Sequence, residues 1–241
     1  MFNKQNNSYI HIINLFMVQS EIVNRVFCIH SSGLSGTCFT MEQDGTQYLI
    51  TAKHLFEKIG YPDHAVIQIL LTGKVFQDIE VDIRYHSQNY DVAVMKTSPY
   101  RTISQFFGNN YSTAGMIIGQ DAFFLGFPYD YDNVLKNLPG LDRPIPFVKK
   151  VCVSGLGPNK VLFLDGHNNP GFSGGPVCFK KMPPQTEAMS IAGVISSYRF
   201  SQEPVYDLKG NDTGFYVKSN TGIIYAYDIS VAIEIIKTSS F

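Results

Sequence analysis

Charge is what this chain has little of. Only 16% of its residues are Asp, Glu, Lys or Arg, and they nearly cancel, leaving a formal net charge of -1 and a pI near 6.6. Globular domains usually carry about 25%. Nonspecific nucleic-acid and anionic-membrane binding need a basic face that this balance does not supply, so neither partner is expected. Long apolar runs are missing too. The stretch Tyr9 to Val18 is broken by His11 and Asn14 and falls short of the roughly 18 apolar residues of a membrane span. No small-residue cleavage site follows it in Gln19-Ser20-Glu21, so it reads as an amphipathic helix or strand packed on the body rather than an export signal. The four cysteines, Cys28, Cys38, Cys152 and Cys178, make no close C-x-x-C pair and no metal-ligand spacing with histidine. Each sits in an apolar run. Buried thiols are therefore expected, without metal or other cofactor, in a reducing compartment: the cytoplasm in preference to periplasmic export.

What the chain does have is Gly171-Phe172-Ser173-Gly174-Gly175-Pro176-Val177. A serine on a glycine-rich turn, where backbone N–H groups converge on one point, suits acyl transfer, because fixed donors stabilise the charge that develops on a carbonyl oxygen. Gly171 and Ser173 are the expected donors, with Gly171 free to adopt the φ that aims its N–H inward and Gly174 and Gly175 leaving room for substrate backbone. Taken alone, the turn reads equally as a reverse turn between strands. A serine nucleophile needs a base, and the base needs an orienting group. Thr51-Ala52-Lys53-His54 follows the apolar Tyr48-Leu49-Ile50, a strand that ends and delivers His54 into a turn or short helix. Asp91 opens the alternating Asp91-Val92-Ala93-Val94-Met95 after a turn-like Ser87-Gln88-Asn89-Tyr90. Singly, such a histidine is a surface or core residue and such an aspartate a turn residue. Together the three signals point to nucleophilic catalysis.

His54 within T-A-x-H, Asp91 within D-V-A-V and Ser173 within G-x-S-G-G-P, in that order, resemble the trypsin/chymotrypsin-like serine proteases. Asn169-Pro170-Gly171-Phe172-Ser173-Gly174-Gly175-Pro176 is similar to the N-P-G-x-S-G-G-P segment of the single-chain bacterial HtrA/Deg branch. Gly222-Ile223-Ile224-Tyr225-Ala226-Tyr227-Asp228 resembles that branch's late G-I-x-F-A-I-P strand, and Gly36-Thr37-Cys38-Phe39 the strand before its histidine. The likeness runs from about Ser35 to Ile236. It departs from the branch in showing no PDZ-like module and in placing Cys38 where a small residue is usual. The resemblance implies that Ser173 attacks a peptide carbonyl and forms an acyl-enzyme, that His54 is general base and then acid, and that Asp91 holds its tautomer. The N–H groups of Gly171 and Ser173 would hold the oxyanion.

The implied fold is all-β: two packed six-stranded antiparallel β-barrels with a short C-terminal helix. A length of 241 residues with 44% hydrophobic content suits two cores. Turn signals divide the chain into an extension at 1–21, a first barrel at 22–113 carrying His54 and Asp91, a second at 114–228 carrying Ser173, and a helix at 229–241. The strands are expected at Ile22–His30, Gly36–Met41, Gln47–Thr51, Ala65–Leu71, Lys74–Tyr85 and Asp91–Lys96, then at Ala122–Gly126, Phe147–Gly155, Lys160–Leu164, Pro176–Phe179, Ile191–Tyr198 and Gly214–Ala226. The helix should cover Ser230–Lys237, capped by Asp228 or Ser230. Tyr129 to Pro146, rich in Asp, Asn and Pro, reads as a long loop bordering the cleft.

By the same resemblance, His167, Asn168 and Asn169 floor the pocket for the residue before the cut, and Ser196, Ser197, Tyr198, Tyr225 and Ala226 wall it. No acid sits at its base, so small or medium uncharged side chains are expected rather than Lys or Arg. Phe172 occupies the place where digestive proteases carry the Asp that pairs with a freshly cut N-terminus, so no activating cleavage is expected. Control would fall to loops or to a regulatory protein that orders the oxyanion turn. The expected function is a serine endopeptidase acting on protein or peptide substrates. The alternative is a catalytically silent protease-fold module that holds peptides, which has no chemical reason to retain His54, Asp91 and Ser173 together. An esterase-like hydrolase fits less well, because Ser173 is not in a G-x-S-x-G elbow with the partners in the expected chain order.

Overall fold

Gly36 to Met41 lie in one strand and are all buried, so both of its faces are covered. Side chains alternate across a strand, and a doubly covered one must have a core on either side. A computed structural model of the chain, describing residues 17–72, 75–106, 108, 110–131, 144–181 and 188–241, shows both. Strands β1 (Val26–Ser31), β2 (Leu34–Gln43), β3 (Thr46–Thr51), β4 (His64–Thr72), β5 (Val75–Tyr85) and β6 (Ala93–Thr97) close an antiparallel barrel in the order β1-β2-β3-β6-β5-β4. Its interior holds Phe27, Ile29, Cys38, Leu49, Ile67, Val81 and Met95. The opposite faces of the same strands, with Val26, Cys28, Phe39, Met41, Ile50 and Val94, form a separate core with Leu125, Phe127, Cys178 and Val194 from the second half.

The second half comprises a short β7 (Asn110–Tyr111), then β8 (Asp121–Gly126), β9 (Phe147–Leu156), β10 (Val161–Asp165), β11 (Pro176–Lys180), β12 (Met189–Tyr206) and β13 (Asp212–Asp228). The order β11-β8-β9-β10-β13-β12 becomes a ring because β11 also pairs with β12, and β7 adds to β12 in parallel. Phe124, Val151, Leu164, Phe172, Phe179 and Ile195 fill this ring. Helix α2 (Ser230–Thr238) lays Val231, Ala232 and Ile235 into the shared core. The N-cap position falls on Ile229 rather than on the expected Asp228 or Ser230, and the Asp228 carboxylate, one residue earlier, accepts from the Ser230 N–H at 2.7 Å and from Thr113 Oγ1 at 2.7 Å, tying the helix start to the crossover. The all-β, twin six-stranded reading with a closing helix is thus the observed architecture. No helix among the described residues is long and apolar enough to cross a membrane.

Two details differ from expectation. Ile22 and Val23 belong to a one-turn helix, α1 (Ser20–Val23), rather than to β1, and bury both side chains from that turn. Strand β12 does not stop at Tyr198. It runs on with β13 as an exposed two-stranded ribbon, paired from Phe200↔Asn220 to Tyr206↔Asp212. The polar Arg199–Tyr206 stretch, with Pro204, has no period-2 apolar signal because nothing covers its faces. The expected Tyr9–Val18 element and most of the Tyr129–Pro146 loop lie outside the described residues.

One buried charge locks the first barrel to the crossover. Arg25 is fully buried, donates to the Thr40 carbonyl at 2.8 Å, pairs with Glu42 at 3.1 Å and donates to the Tyr111 hydroxyl. Removing one member of a buried pair leaves the other uncompensated. Arg25→Ala should therefore lower the unfolding free energy by about 3–5 kcal/mol, read as a lower denaturant midpoint at unchanged slope.

Candidate active site

Strand β3 ends at Thr51, and the chain enters a 3-10 turn at Lys53–Ile59 that closes on Gly60 in the left-handed region, φ 73°. That turn lifts His54 to the rim of the first barrel. Asp91 stands just before β6 and accepts three hydrogen bonds: from the His54 N–H at 2.8 Å, from His54 Nδ1 at 2.8 Å and from Ser196 Oγ at 2.5 Å. A carboxylate accepts and does not donate, so Nδ1 carries the proton and Nε2 is left as the acceptor. Burial works against an imidazolium, but the hydrogen bond and charge of Asp91, with a further contribution from Glu57, outweigh it and raise the His54 pKa above its ordinary 6.5.

Ser173 comes from the other barrel, in the turn before β11. Phe172 is its anchor, fully buried with its ring edge-on to Phe124 at 4.8 Å. Backbone and hydroxyl of Thr37, on β2, hold the turn across the seam. The Thr37 N–H donates to the Ser173 carbonyl at 2.8 Å. Its hydroxyl donates to the Gly171 carbonyl at 2.7 Å and accepts from the Phe127 N–H at 3.1 Å. Behind the turn, the Tyr129 N–H holds the Pro170 carbonyl at 3.0 Å. In a trans peptide the N–H points opposite to the carbonyl, so this bond fixes the direction of the Gly171 N–H. Among the described residues, neither that N–H nor the one of Ser173 finds a protein acceptor.

Two glycines do something other than expected. A Cβ at Gly174 (φ 86°) would lie 2.1 Å from the Thr37 carbonyl oxygen, and one at Gly175 2.0 Å from that of Leu125. The space they leave is taken by the protein's own backbone, where the barrels meet, rather than kept for substrate. Gly171, at φ 99°, is likewise pressed on Phe127 and Tyr129.

His54, Asp91, Ser173 and Ser196 all line one cleft of about 700 Å³. Ser173 Oγ hydrogen-bonds the Ser196 carbonyl at 3.2 Å, and rotation about χ1 is the motion that redirects it. A base oriented by a carboxylate, a serine hydroxyl in the same cleft and two unengaged backbone donors flanking that serine are the parts acyl transfer requires.

No protein-family model and no curated protein matches this sequence. Solved structures do match in shape. The HtrA-type protease AlgW with tripeptide gives a TM-score of 0.55 at 17% identity, over 91% of this chain and 61% of that one. An inactive form of Rv3671c from M. tuberculosis H37Rv gives 0.55 at 14% identity, covering 95% of both chains. Deg5 gives 0.54 at 16%, covering 97% of this chain and 94% of its own. The fold is trypsin-like, shared with these structures. This chain spans about three-fifths of the AlgW chain, the 61% above.

His167, Asn168, Asn169, Ser196, Ser197 and Tyr198 line the same cleft as His54 and Ser173, while Tyr225 and Ala226 do not. Ala226 faces the second core, and the Tyr225 ring lies edge-on to Phe163 at 5.5 Å. Phe200, Lys218, Ser219 and Asn220, from the β12–β13 ribbon, line the cleft as well. These four escaped the sequence reading because the expected β12 ended at Tyr198, which left Phe200 unpaired. Thr37 was also missed as a contributor: a threonine in a strand carries no sign that its hydroxyl will bridge two other segments. Thr37→Val keeps the shape but leaves the Gly171 carbonyl and Phe127 N–H without their buried partner. It should cost about 1–3 kcal/mol of stability, measured by chemical denaturation.

Proposed function

We propose that this chain is a serine endopeptidase. The observation that carries the reading is the bond from His54 Nδ1 to Asp91, 2.8 Å, at the mouth of a cleft that also holds Ser173. In this reading His54 Nε2 takes the Ser173 proton as Oγ attacks the peptide carbonyl. The oxyanion is held by the Gly171 and Ser173 N–H groups, the amine leaves with the proton from His54, and water then hydrolyses the acyl-enzyme by the same route. Catalysis needs His54 neutral, and its pKa is raised, so activity is lost as pH falls through a value above 6.5. The similarity to HtrA-type proteases supports protein or peptide substrates. A silent peptide-holding module is the second reading, favoured by the Ser173 hydroxyl resting on the Ser196 carbonyl rather than on His54.

Labelling by a fluorophosphonate probe and hydrolysis of a denatured protein should both occur in wild type and vanish in Ser173→Ala and His54→Ala, with kcat down about a millionfold. The acid limb of kcat/KM should lie above pH 6.5. Wild type that neither labels nor cleaves would replace the peptidase by the silent module.

The wall next to Ser173 disfavours basic side chains. Lys149 Nζ donates to the His167 carbonyl and to Asn169 Oδ1, both at 2.6 Å, placing a cation behind the expected floor. A cleavage-site profile on a peptide library should show uncharged residues before the cut, with Lys and Arg depleted. Enrichment of Lys or Arg would reject this pocket assignment.

A further inference from the structure

Strand alternation puts Cys28 and His30 on the same outward face of β1, with Ser35 of β2 directly opposite His30. Onto that face the second half of the chain brings Asp130, from the 3-10 turn Pro128–Asp130. Its Oδ1 lies 3.6 Å from Cys28 Sγ and 3.0 Å from His30 Nε2, and it also accepts from the Ser35 hydroxyl. All three would-be ligand atoms, Cys28 Sγ, His30 Nε2 and a carboxylate oxygen of Asp130, fall within 4.8 Å of one another. Among the described residues this is the group of Cys, His and acidic side chains that converges in this way.

We propose that Cys28, His30 and Asp130 form a binding site for a divalent transition-metal cation of zinc type, built across the seam between the barrels. Geometry and donor chemistry carry it. A tetrahedral zinc with bonds of about 2.3 Å to sulfur and about 2.1 Å to nitrogen and oxygen needs S···O near ~3.6 Å and N···O near ~3.4 Å. The observed S···O of 3.6 Å and N···O of 3.0 Å lie close to these values, and Cys28 Sγ and His30 Nε2, within 4.8 Å of each other, draw in to ~3.6 Å as the ion binds. One sulfur, one imidazole nitrogen and one carboxylate oxygen suit zinc or cobalt, whereas magnesium and calcium select sites made of oxygen alone. The imidazole is already oriented, stacked on Phe76 with centroids 4.1 Å apart and planes 23° apart. His30 and Asp130 keep 27% and 45% of their side-chain surface, which gives the ion an entry path and water a fourth position. Binding displaces the Cys28 thiol proton to solvent and leaves His30 neutral, so no oxidant or co-reactant is involved.

The sequence alone argued against a metal, because Cys28 and His30 have no ligand neighbour nearby and Asp130 is 102 and 100 residues away. The fold supplies it, at a consequential place. Tyr129 and Asp130 are consecutive non-glycine residues in the left-handed region, φ 51° and 60°. Two such residues in a row need outside support. A cation on Asp130 supplies that support, and the adjoining Tyr129 N–H is the donor that fixes the Pro170 carbonyl behind Gly171. The site would therefore brace the oxyanion turn. That consequence rests on the peptidase reading, but the site itself does not.

Cobalt(II) reports the site without any need for activity. Titrated into reduced wild-type protein, it should give one equivalent of a thiolate-to-cobalt charge-transfer band in the near ultraviolet with tetrahedral visible bands, displaced by zinc. Cys28→Ser should abolish the charge-transfer band, Cys152→Ser should leave it unchanged, and His30→Ala and Asp130→Asn should each weaken affinity at least ~10-fold. Absence of the band in wild type, or its survival in Cys28→Ser, overturns the site whatever the protein hydrolyses. Should the buried Cys28→Ser variant misfold, the surface variants decide: weakened affinity in His30→Ala and Asp130→Asn assigns the band to this site, and unchanged affinity in both overturns it. If the site forms, zinc should also raise kcat on a peptide substrate. An equal rate with and without zinc would retain the site and overturn the brace.

Discussion

Thr37 is where the two halves of this protein are made into one machine. It sits fully buried on β2, and its N–H, hydroxyl and carbonyl each engage a different segment: the Ser173 carbonyl, the Gly171 carbonyl with the Phe127 N–H, and the Thr51 hydroxyl. Ser173 lies in the second half and His54 in the first, so the distance between the two side chains is set by how the barrels dock. Backbone hydrogen bonds at a dry seam fix that docking better than side-chain packing alone, since each unmade bond would leave a buried polar group unpaired. The glycines follow from the same constraint. Gly126, Gly174 and Gly175 stand where any Cβ would meet Thr37, Thr51, Phe172 or Leu125 within 2.0 to 2.7 Å.

Around this seam the charged groups are few and placed with a purpose. Arg25 neutralises Glu42 deep under the crossover, while Asp91 collects three donors and orients His54. Asp130 gathers Cys28, His30 and Ser35 behind the glycine turn. Each carboxylate reaches across a boundary between segments distant in sequence. In a chain with so little charge, these contacts specify one docking geometry where apolar faces alone would tolerate sliding, which is the specificity role argued for some buried ion pairs.

The sequence showed most of the strands because their apolar faces alternate, and it showed His54, Asp91 and Ser173 because each stands at a break in that alternation. It mistook Ile22 and Val23 for strand because one helical turn and one end of a strand bury two adjacent apolar residues equally well. The reach of the β12–β13 ribbon stayed hidden for the opposite reason: its exposed faces impose no hydrophobic period, so Lys218, Ser219 and Asn220 gave no sign of walling a cleft. Tyr225 and Ala226 were placed in that wall by resemblance, but Ala226 is packed in the second core and the Tyr225 ring lies against Phe163.

What the sequence by itself determined is which segments are strands and which reactive side chains stand at their ends, since both follow from local properties: side-chain type, period and turn propensity. Tertiary structure alone decided which of those residues meet. The Ser196 hydroxyl on Asp91, the Thr37 clamp on the glycine turn and the approach of Asp130 to Cys28 and His30 join positions about one hundred residues apart, |i−j| of 105, 134 and 102. No local pattern encodes such pairs, because the free energy that selects them comes from burying two barrel faces against each other.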